Sequence, residues 1–316
     1  MNGVLCLGEA LIDFIPLDPD NLTYQKSPGG APANVSVGIA KLGGTAAFLG
    51  KAGNDVLGQF LHDTLKGYGV NTCSMIFTEE ARTGVTFVTL EPSGERHFSF
   101  YINPSADSFL QKEEINLSLF EEYKIFHFGS ISLIRDPAKK ATLHALEIAK
   151  EKGLLISYDP NLRLGLWDSE KRAKETILAA IPYADILKVS DEELTFLTGC
   201  TNIEEGIAKL PNNLLTLVTL GSEGCIYCFK GQAGKVPALK CSAVDTTGAG
   251  DAFVSGILYS INKSQIPLGE LSESAIVEMI RFANISGGLA TTKKGAMSGL
   301  PTMQEIQKLL KINQDN

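Results

Sequence analysis

The chain has 316 residues, 44% hydrophobic and 20% charged, the balance of an ordinary water-soluble globular protein. A net charge of -8 argues against nucleic acid or an anionic membrane as a partner, because either needs a basic face; an anionic ligand must therefore be held by a local site. The opening Met1-Asn2-Gly3-Val4 carries no basic leader, no apolar run nears the roughly 18 residues of a membrane span, and six cysteines without framework spacing read as reduced thiols, so a cytoplasmic protein is expected.

Strand and helix patterns alternate along the chain. Apolar runs, most of them unbroken as in strands buried on both faces, predict strands at 4–7, 45–49, 124–128, 154–158, 186–189 and 215–220. Helical spacing predicts helices at 33–42, 57–68, 137–152, 169–181, 192–198, 203–210 and 272–291. Asp136-Pro137 offers a capping residue followed by proline at the first helical position, and Thr302-x-x-Glu305 has capping-box spacing before a last short helix.

Two regions interrupt this rhythm. One is 14–27, carrying Asp18-Pro19-Asp20-Asn21; the other is 83–101, where strands at 83–90 and 95–101 flank Pro92-Ser93-Gly94. The expectation is an α/β fold, a mostly parallel sheet flanked by helices, with a small antiparallel β lid over the carboxyl ends of its strands, where open α/β sheets bind ligands. The chain reads as a single domain, 1–316, with the lid segments inserted in the core.

The most informative stretch is Asp245-Thr246-Thr247-Gly248-Ala249-Gly250-Asp251, which leads into a helix-forming run. Its glycines permit a tight turn whose N–H groups become the free donors of a helix N-terminus, an anion pocket. Asp251 in the first turn is expected to be held ionised by the same field, placed to accept a hydroxyl proton while the N–H groups stabilise developing charge. The plainer alternative is a strand-to-helix turn with a capping aspartate.

An earlier stretch, Ser27-Pro28-Gly29-Gly30-Ala31-Pro32-Ala33-Asn34, also opens a helix. Gly29 and Gly30 permit close approach of backbone to a ligand, and the Asn34 amide suits sugar hydroxyls. Asp13, past the first strand, can accept further hydroxyl bonds, with Glu9 nearby as contact or support. Cys225-Ile226-Tyr227-Cys228 has metal-ligand spacing, but in a strand-like run it points its thiols to opposite faces.

Together, 27–34 with Gly38 and Gly44 beyond, and 245–256, closely resemble the two signature regions of the PfkB family of carbohydrate kinases, also called the ribokinase family. The likeness extends to Gly8-Glu9-Ala10-Leu11-Ile12-Asp13-Phe14, to 50–58, to Asp159-Pro160-Asn161-Leu162-Arg163 with Leu166-Trp167, and to Thr219-Leu220-Gly221-Ser222-Glu223-Gly224. The first and third of these look most like the fructokinase branch.

The resemblance implies phosphorylation of a ketohexose, D-fructose to fructose 6-phosphate, with ATP, Mg²⁺ and an optional K⁺. Asp251 would be the base and Gly248, Ala249 and Gly250 the anion hole. Asp13, Gly29, Gly30 and Asn34 would hold the sugar, with Phe98 and Tyr101 closing over it. Lys188, Thr219, Gly221 and Gly224 would meet the nucleotide, Asn284 would lie by the adenine, and Gly295 would border that pocket.

Asp245 and Thr247, with the loop at Ser298, would bind a monovalent cation. The family's Asn-x-x-Glu, whose Glu organises Mg²⁺ through water, stands here as Ser190-Asp191-Glu192-Glu193; Glu193 is the shell candidate, and Ser190-x-x-Glu193 equally makes a helix capping box. Arg163 would stabilise transferring phosphate oxygens, or bind a substrate carboxylate, or form an ion pair with Asp159 or Asp168.

Within the family, 2-keto-3-deoxygluconate kinase, ribokinase and nucleoside kinases are the rival readings. Outside it stand a sugar-binding protein without catalysis, which Asp251 argues against, and a dinucleotide-binding oxidoreductase. The latter lacks its third glycine, Phe253 standing there, and Glu270 falls in a polar connector. An exposed lid strand offers an edge for pairing with a second copy of the chain.

Overall fold

The computed structural model describes residues 2–90 and 96–312. Its elements follow the chain as β1 (Val4–Leu7), β2 (Leu11–Pro16), β3 (Tyr24–Gly29), α1 (Ala31–Lys41), β4 (Ala46–Gly53), α2 (Val56–Gly67), β5 (Asn71–Thr78), β6 (Gly84–Leu90) and β7 (Arg96–Phe100). The second half runs α3 (Leu119–Glu122), β8 (Ile125–Phe128), α4 (Ala138–Glu151), β9 (Leu155–Tyr158), α5 (Glu170–Ala180), β10 (Ile186–Ser190), α6 (Asp191–Thr198), α7 (Ile203–Lys209), β11 (Leu215–Thr219), β12 (Cys225–Phe229) and β13 (Gln232–Val236). It ends with α8 (Ala249–Lys263), α9 (Glu273–Thr291), α10 (Ala296–Gly299) and α11 (Met303–Ile312).

Nine strands form one sheet in the order β13-β12-β11-β10-β9-β8-β1-β4-β5. It is parallel from β11 to β5 and antiparallel at β12 and β13. Alternation sorts its side chains between two cores: Val4 and Cys6 pack with Val35, Phe253 and Ile257, while Leu5 and Leu7 pack with Phe126, Ala145 and Ile177. Truncating Leu5, Leu7, Ile177 or Ile257 to alanine would cost roughly 2–5 kcal/mol. Among the described residues, no helix is long and apolar enough to cross a membrane.

β1 lies between β4 and β8, so the chain leaves it in opposite directions and a crevice opens at the carboxyl ends of the strands there. Glu9 follows β1, Asn161 and Arg163 follow β9, and Lys188 lies in β10. All four line that crevice.

A second sheet, ordered β3-β2-β6-β7, stands apart from the first. Its two hairpin pairs are antiparallel, and β2 joins β6 in parallel register. It takes in more chain than expected, because β2 begins at Leu11 and β3 runs to Gly29; Asp13 therefore sits on this sheet, opposite Ser27 and beside Thr86. The β2–β3 turn is closed by Asp18, which accepts from the Leu22 and Thr23 amides at 3.0 and 2.7 Å. The turn expected at Pro92-Ser93-Gly94, with Glu95, lies outside the described residues.

Two local expectations need correction. Pro137 is the residue before α4, not its first member, and Asp136 pairs with Lys140 at 2.9 Å instead of capping. Also, the sheet takes in two further strands at its edges, β5, whose apolar run Met75-Ile76-Phe77 is short and set among polar residues, and the antiparallel β13, which has no apolar run. The spacing in Thr302-x-x-Glu305 does close as a box, with Thr302 N–H donating to Glu305 at 2.8 Å.

Candidate active site

Gly248 precedes α8 in the left-handed region at φ 78°, a conformation that favours glycine. The helix starts at Ala249, so Asp251 lies in its first turn, buried at 6% exposure. α1 packs alongside closely enough that a Cβ on Gly38 would stand 2.2 Å from Ser255 Oγ, and that hydroxyl donates to Val35 O at 3.2 Å. The two glycine-bearing stretches therefore meet, and Asn34 Nδ2 donates to Asp251 Oδ2 at 2.8 Å.

The other carboxylate oxygen of Asp251 accepts from Asn161 Nδ2 at 3.2 Å. Burial pushes the Asp251 carboxyl up to about 6, the Asn34 amide pulls it back, nearby Asp159 raises it and Lys188 and Arg163 lower it. Burial thus raises the group above a free aspartate, where the sequence led us to expect only that it is held ionised. The group is still mostly ionised at neutral pH and, being a stronger base than a free aspartate, is better matched to accept a proton there.

A cavity of about 410 Å³ opens over Asp251, walled by Glu9, Asp13, Asn34, Asn161, Arg163 and Lys188 among others. Asp13 rises to about 6, burial outweighing Arg163 and a bond from Thr86. Glu9, 3% exposed, is pushed by burial to about 8, although it accepts from Ala31 N–H at 2.9 Å. Burial alone would lower Lys188, but Asp159 at 3.0 Å, with Glu193 and Asp251, holds its ammonium charged. A Cβ on Gly250 would stand 3.3 Å from that ammonium.

A second cavity, about 400 Å³, is lined by Thr219, Gly221, Gly224, Ala249, Asn284 and Gly287 among others. Among the described residues Thr246 and Gly250 alone line both cavities, so the two spaces meet at the N-terminus of α8. One face of that terminus looks onto a polar chamber with a carboxylate at its rim, and the other onto a chamber walled largely by small residues. No strand leads into the turn, since 237–248 carry none, which removes the dinucleotide-fold reading.

The family model described as pfkB family carbohydrate kinase matches residues 1–303. The chain belongs to that family. It is 48% identical to fructokinase-1 of Zea mays over 315 residues, 97% of each chain. Its fold matches a fructokinase double mutant from Vibrio cholerae O395 bound to fructose, ADP and potassium ion, with a TM-score of 0.90 at 39% identity over 98% of each chain. It also matches aminoimidazole riboside kinase from Salmonella enterica with its riboside and an ATP analog, at a TM-score of 0.85 and 30% identity, covering 98% of this chain and 99% of that one. The protein is an ATP-dependent carbohydrate kinase of ribokinase-like fold.

Several residues of the kinase sit differently from the sequence reading. Gly29 does not line the cavity: a Cβ there would strike Asp13 Oδ2 at 2.4 Å, so its bareness makes room for a carboxylate and not for a ligand. Gly30, at φ 101°, does line it but lies closest to the Glu9 carbonyl. Tyr101, 72% exposed, packs edge-on against Phe87 at 5.6 Å and is absent from the wall, where Phe98 and Phe100 stand. Strand alternation carries the reason, for 98 and 100 share a face and 101 does not.

Lys188 lines the first cavity and not the second, and Gly295 borders neither. Gly295 joins Asp245 and Ser298 around a third space of about 170 Å³, donating its N–H to Asp245 at 3.0 Å. Asp245 accepts from Thr247 N–H at 2.9 Å, Ser298 Oγ donates to Lys294 O at 2.8 Å, and the Ser298 carbonyl accepts from Lys41 at 3.2 Å.

Glu193 makes both halves of a capping box with Ser190, accepting its N–H at 2.8 Å, while the second oxygen accepts Leu162 N–H at 2.7 Å. Arg163 forms no ion pair with either acid considered, since Asp159 pairs with Lys188 and Asp168 with Arg172. It is exposed and faces the first cavity. Cys225 is buried and Cys228 half-buried on alternating positions of β12, and among the described residues no cluster of His, Cys, Asp and Glu could hold a metal.

Thr86, Phe100, Ile131 and Asn161 are cavity residues absent from the sequence reading. Period-two spacing from Phe98 could have found Phe100. Asn161 stands inside the Asp-Pro-Asn stretch, but nothing in the string says where its amide points.

Proposed function

We propose that this kinase transfers the γ-phosphoryl group of ATP to the primary hydroxyl of D-fructose, giving fructose 6-phosphate. The observation that carries the reading is the meeting of two cavities at Thr246 and Gly250, with Asp251 on the polar side. Sugar binds in the first cavity and nucleotide in the second, so the acceptor hydroxyl and the γ-phosphate approach each other across the α8 N-terminus. Asp251 takes the hydroxyl proton as the new O–P bond forms and the bond to the β,γ-bridging oxygen breaks, with ADP leaving.

The N–H groups at Gly248 and Gly250 stabilise the charge on the phosphoryl oxygens, that of Ala249, also expected in the anion hole, donating already to Thr246 O at 3.2 Å, and Lys188 and Arg163 add cationic charge beside them. Asp13, Gly30 and Asn34 hold sugar hydroxyls, and Asn34 Oδ1, buried without a protein partner, is ready to accept one. Phe98 and Phe100 on β7 cover the sugar and exclude water. Thr219, Gly221 and Gly224 meet the nucleotide phosphates, with Asn284 by the base.

Mg²⁺ brought with the nucleotide would neutralise phosphate charge; Glu193 is its water-mediated partner in this reading, although both its oxygens already accept backbone N–H groups. Asp245, Thr247 and Ser298 would hold a singly charged cation such as K⁺ in this reading, although the Ser298 carbonyl, in α10, already accepts from Lys41 and Thr247 lines the first cavity. Residues 1–316 act as one domain, with the four-stranded sheet as its lid, and the exposed Leu17, Leu22 and Tyr101 of that lid offer a face for a homodimer. Six free cysteines suit the reducing cytoplasm.

Fructose is favoured over a keto acid because Glu9, Asp13 and Asp251 crowd the sugar cavity with carboxyl groups and its Lys188 is already paired with Asp159, leaving Arg163 as the unpaired cation for a substrate carboxylate. A coupled assay for ADP release over fructose, 2-keto-3-deoxygluconate, ribose, glucose and adenosine, with Mg²⁺ and with or without K⁺, tests this. Fructose should lead in kcat/KM by at least about a hundredfold, the discrimination a hydrogen-bonding site readily supplies; a lead by 2-keto-3-deoxygluconate or a nucleoside sinks the assignment.

A further inference from the structure

We infer that Asn161 is the positioning residue of the catalytic carboxylate, acting as the second jaw of a clamp whose first jaw is Asn34. The inference rests on Asp251 being the base. Each amide donates to a different oxygen of Asp251, Asn34 Nδ2 to Oδ2 at 2.8 Å and Asn161 Nδ2 to Oδ1 at 3.2 Å. A carboxylate held by one oxygen can still rotate about its Cβ–Cγ bond, whereas one held by both presents a fixed lone pair to the incoming hydroxyl.

The backbone at Asn161 is built for this task. Its φ is 48°, the left-handed region that asparagine tolerates better than most residues. Three bonds pin the loop in that shape: Asn161 N–H on Asp159 Oδ1 at 3.2 Å, Ser130 N–H on Pro160 O at 3.0 Å, and Leu162 N–H on Glu193 Oε1 at 2.7 Å. Glu193 reaches its place through the capping box at the start of α6. The strand ends β8, β9 and β10 are thereby tied to one amide aimed at Asp251, and Glu193 acts on the base through this loop as well as through any metal.

The ionised form of Asp251 is the one that accepts both amide hydrogens. Removing a donor therefore disfavours that form and moves the acid limb of the rate profile upward. The groups facing Asp251 from the surrounding elements are Glu9 and Asp13, Asn34 on α1, Asp159 and Arg163 after β9, and Lys188 on β10.

The test is the pH profile of kcat for Asn161→Gly, which keeps the left-handed backbone without strain and deletes only the amide, beside Asn161→Asp, which also accepts that backbone but sets a fourth carboxyl group against the base. The glycine variant should lose roughly ten- to a hundredfold in kcat at pH 7 with its acid limb raised by about one pH unit, and the aspartate variant should shift the limb further. A rise in KM for fructose with an unmoved limb would make Asn161 a sugar contact, and an unchanged profile would make it structural; either overturns the inference. Asp251→Asn is run in parallel: if it retains turnover, the base reading itself has failed, whereas a dead Asp251→Asn with an unmoved Asn161→Gly limb condemns the clamp alone.

Discussion

The two cavities of this kinase are nearly equal in size and built in opposite ways. The first draws side chains from residue 9 to residue 296, including Glu9, Asp13, Arg163, Lys188 and Asp251. The second comes from 219–291, walled mostly by glycine, alanine, serine and threonine with Leu239, Phe253 and Asn284 among them, and among the described residues Lys240 is its one charged wall residue. A ligand in the first meets aimed functional groups; a ligand in the second meets close backbone and small surfaces. Acceptor choice and proton transfer are thus sensitive to single side chains, and nucleotide binding to local chain shape.

The comparison breaks most sharply at Asp251. Asp251→Asn keeps the shape of the first cavity and removes the base, so turnover should fall about a thousandfold while calorimetry still detects fructose and ATP; a variant that turns over normally would make the polar chamber a binding site only. Asn34→Ala, which frees one oxygen of that carboxylate and removes an acceptor from the sugar wall, should lower kcat/KM for fructose about ten- to a hundredfold with little change in KM for ATP.

The pH dependence sharpens the contrast further. Asp251 and Asp13 are both raised to about 6, and the base must be unprotonated to work, so activity is present above that value and lost as pH falls through it. Steady-state rates should drop about tenfold per unit below pH 6, or more steeply where both groups count, while nucleotide binding, in a chamber without carboxyl groups, stays level. A profile flat to pH 5 would mean that Asp251 titrates like an exposed aspartate.

The converse perturbation is Gly224→Ala. A Cβ there would lie 2.1 Å from Val236 O at φ 101°, so the turn must shift; KM for ATP should rise several-fold and that for fructose should hold. The smallest effect belongs to Cys228→Ser, which should leave rates within about twofold and metal content unchanged, as expected of thiols on opposite faces of β12.

Much of this was open to reading in the string. Strands β1, β8, β9, β10 and β11 announce themselves because burial on both faces demands mostly apolar runs, and Gly248, Asp251 and Asn34 stand in the two stretches that carry the family resemblance. Tyr101 and Gly295 were misplaced for a shared reason, that nearness in sequence to a site is not facing it. Tyr101 falls on the wrong side of a strand, and Gly295 serves Asp245 instead of the nucleotide chamber.

By itself the sequence determined the layering of the fold, the helix that begins after Gly248 and the class of chemistry its N-terminus supports, because these depend on residues near one another along the chain. Only the tertiary structure decided that Asn161 grips the second oxygen of Asp251, that Glu9 is buried deeply enough to hold its proton near pH 7, and that Gly29 makes room for Asp13. Each joins residues from different segments, 90 positions apart for the first pair, and burial, which sets both the carboxyl pKa values and the aim of the amides, exists only once the layers have closed.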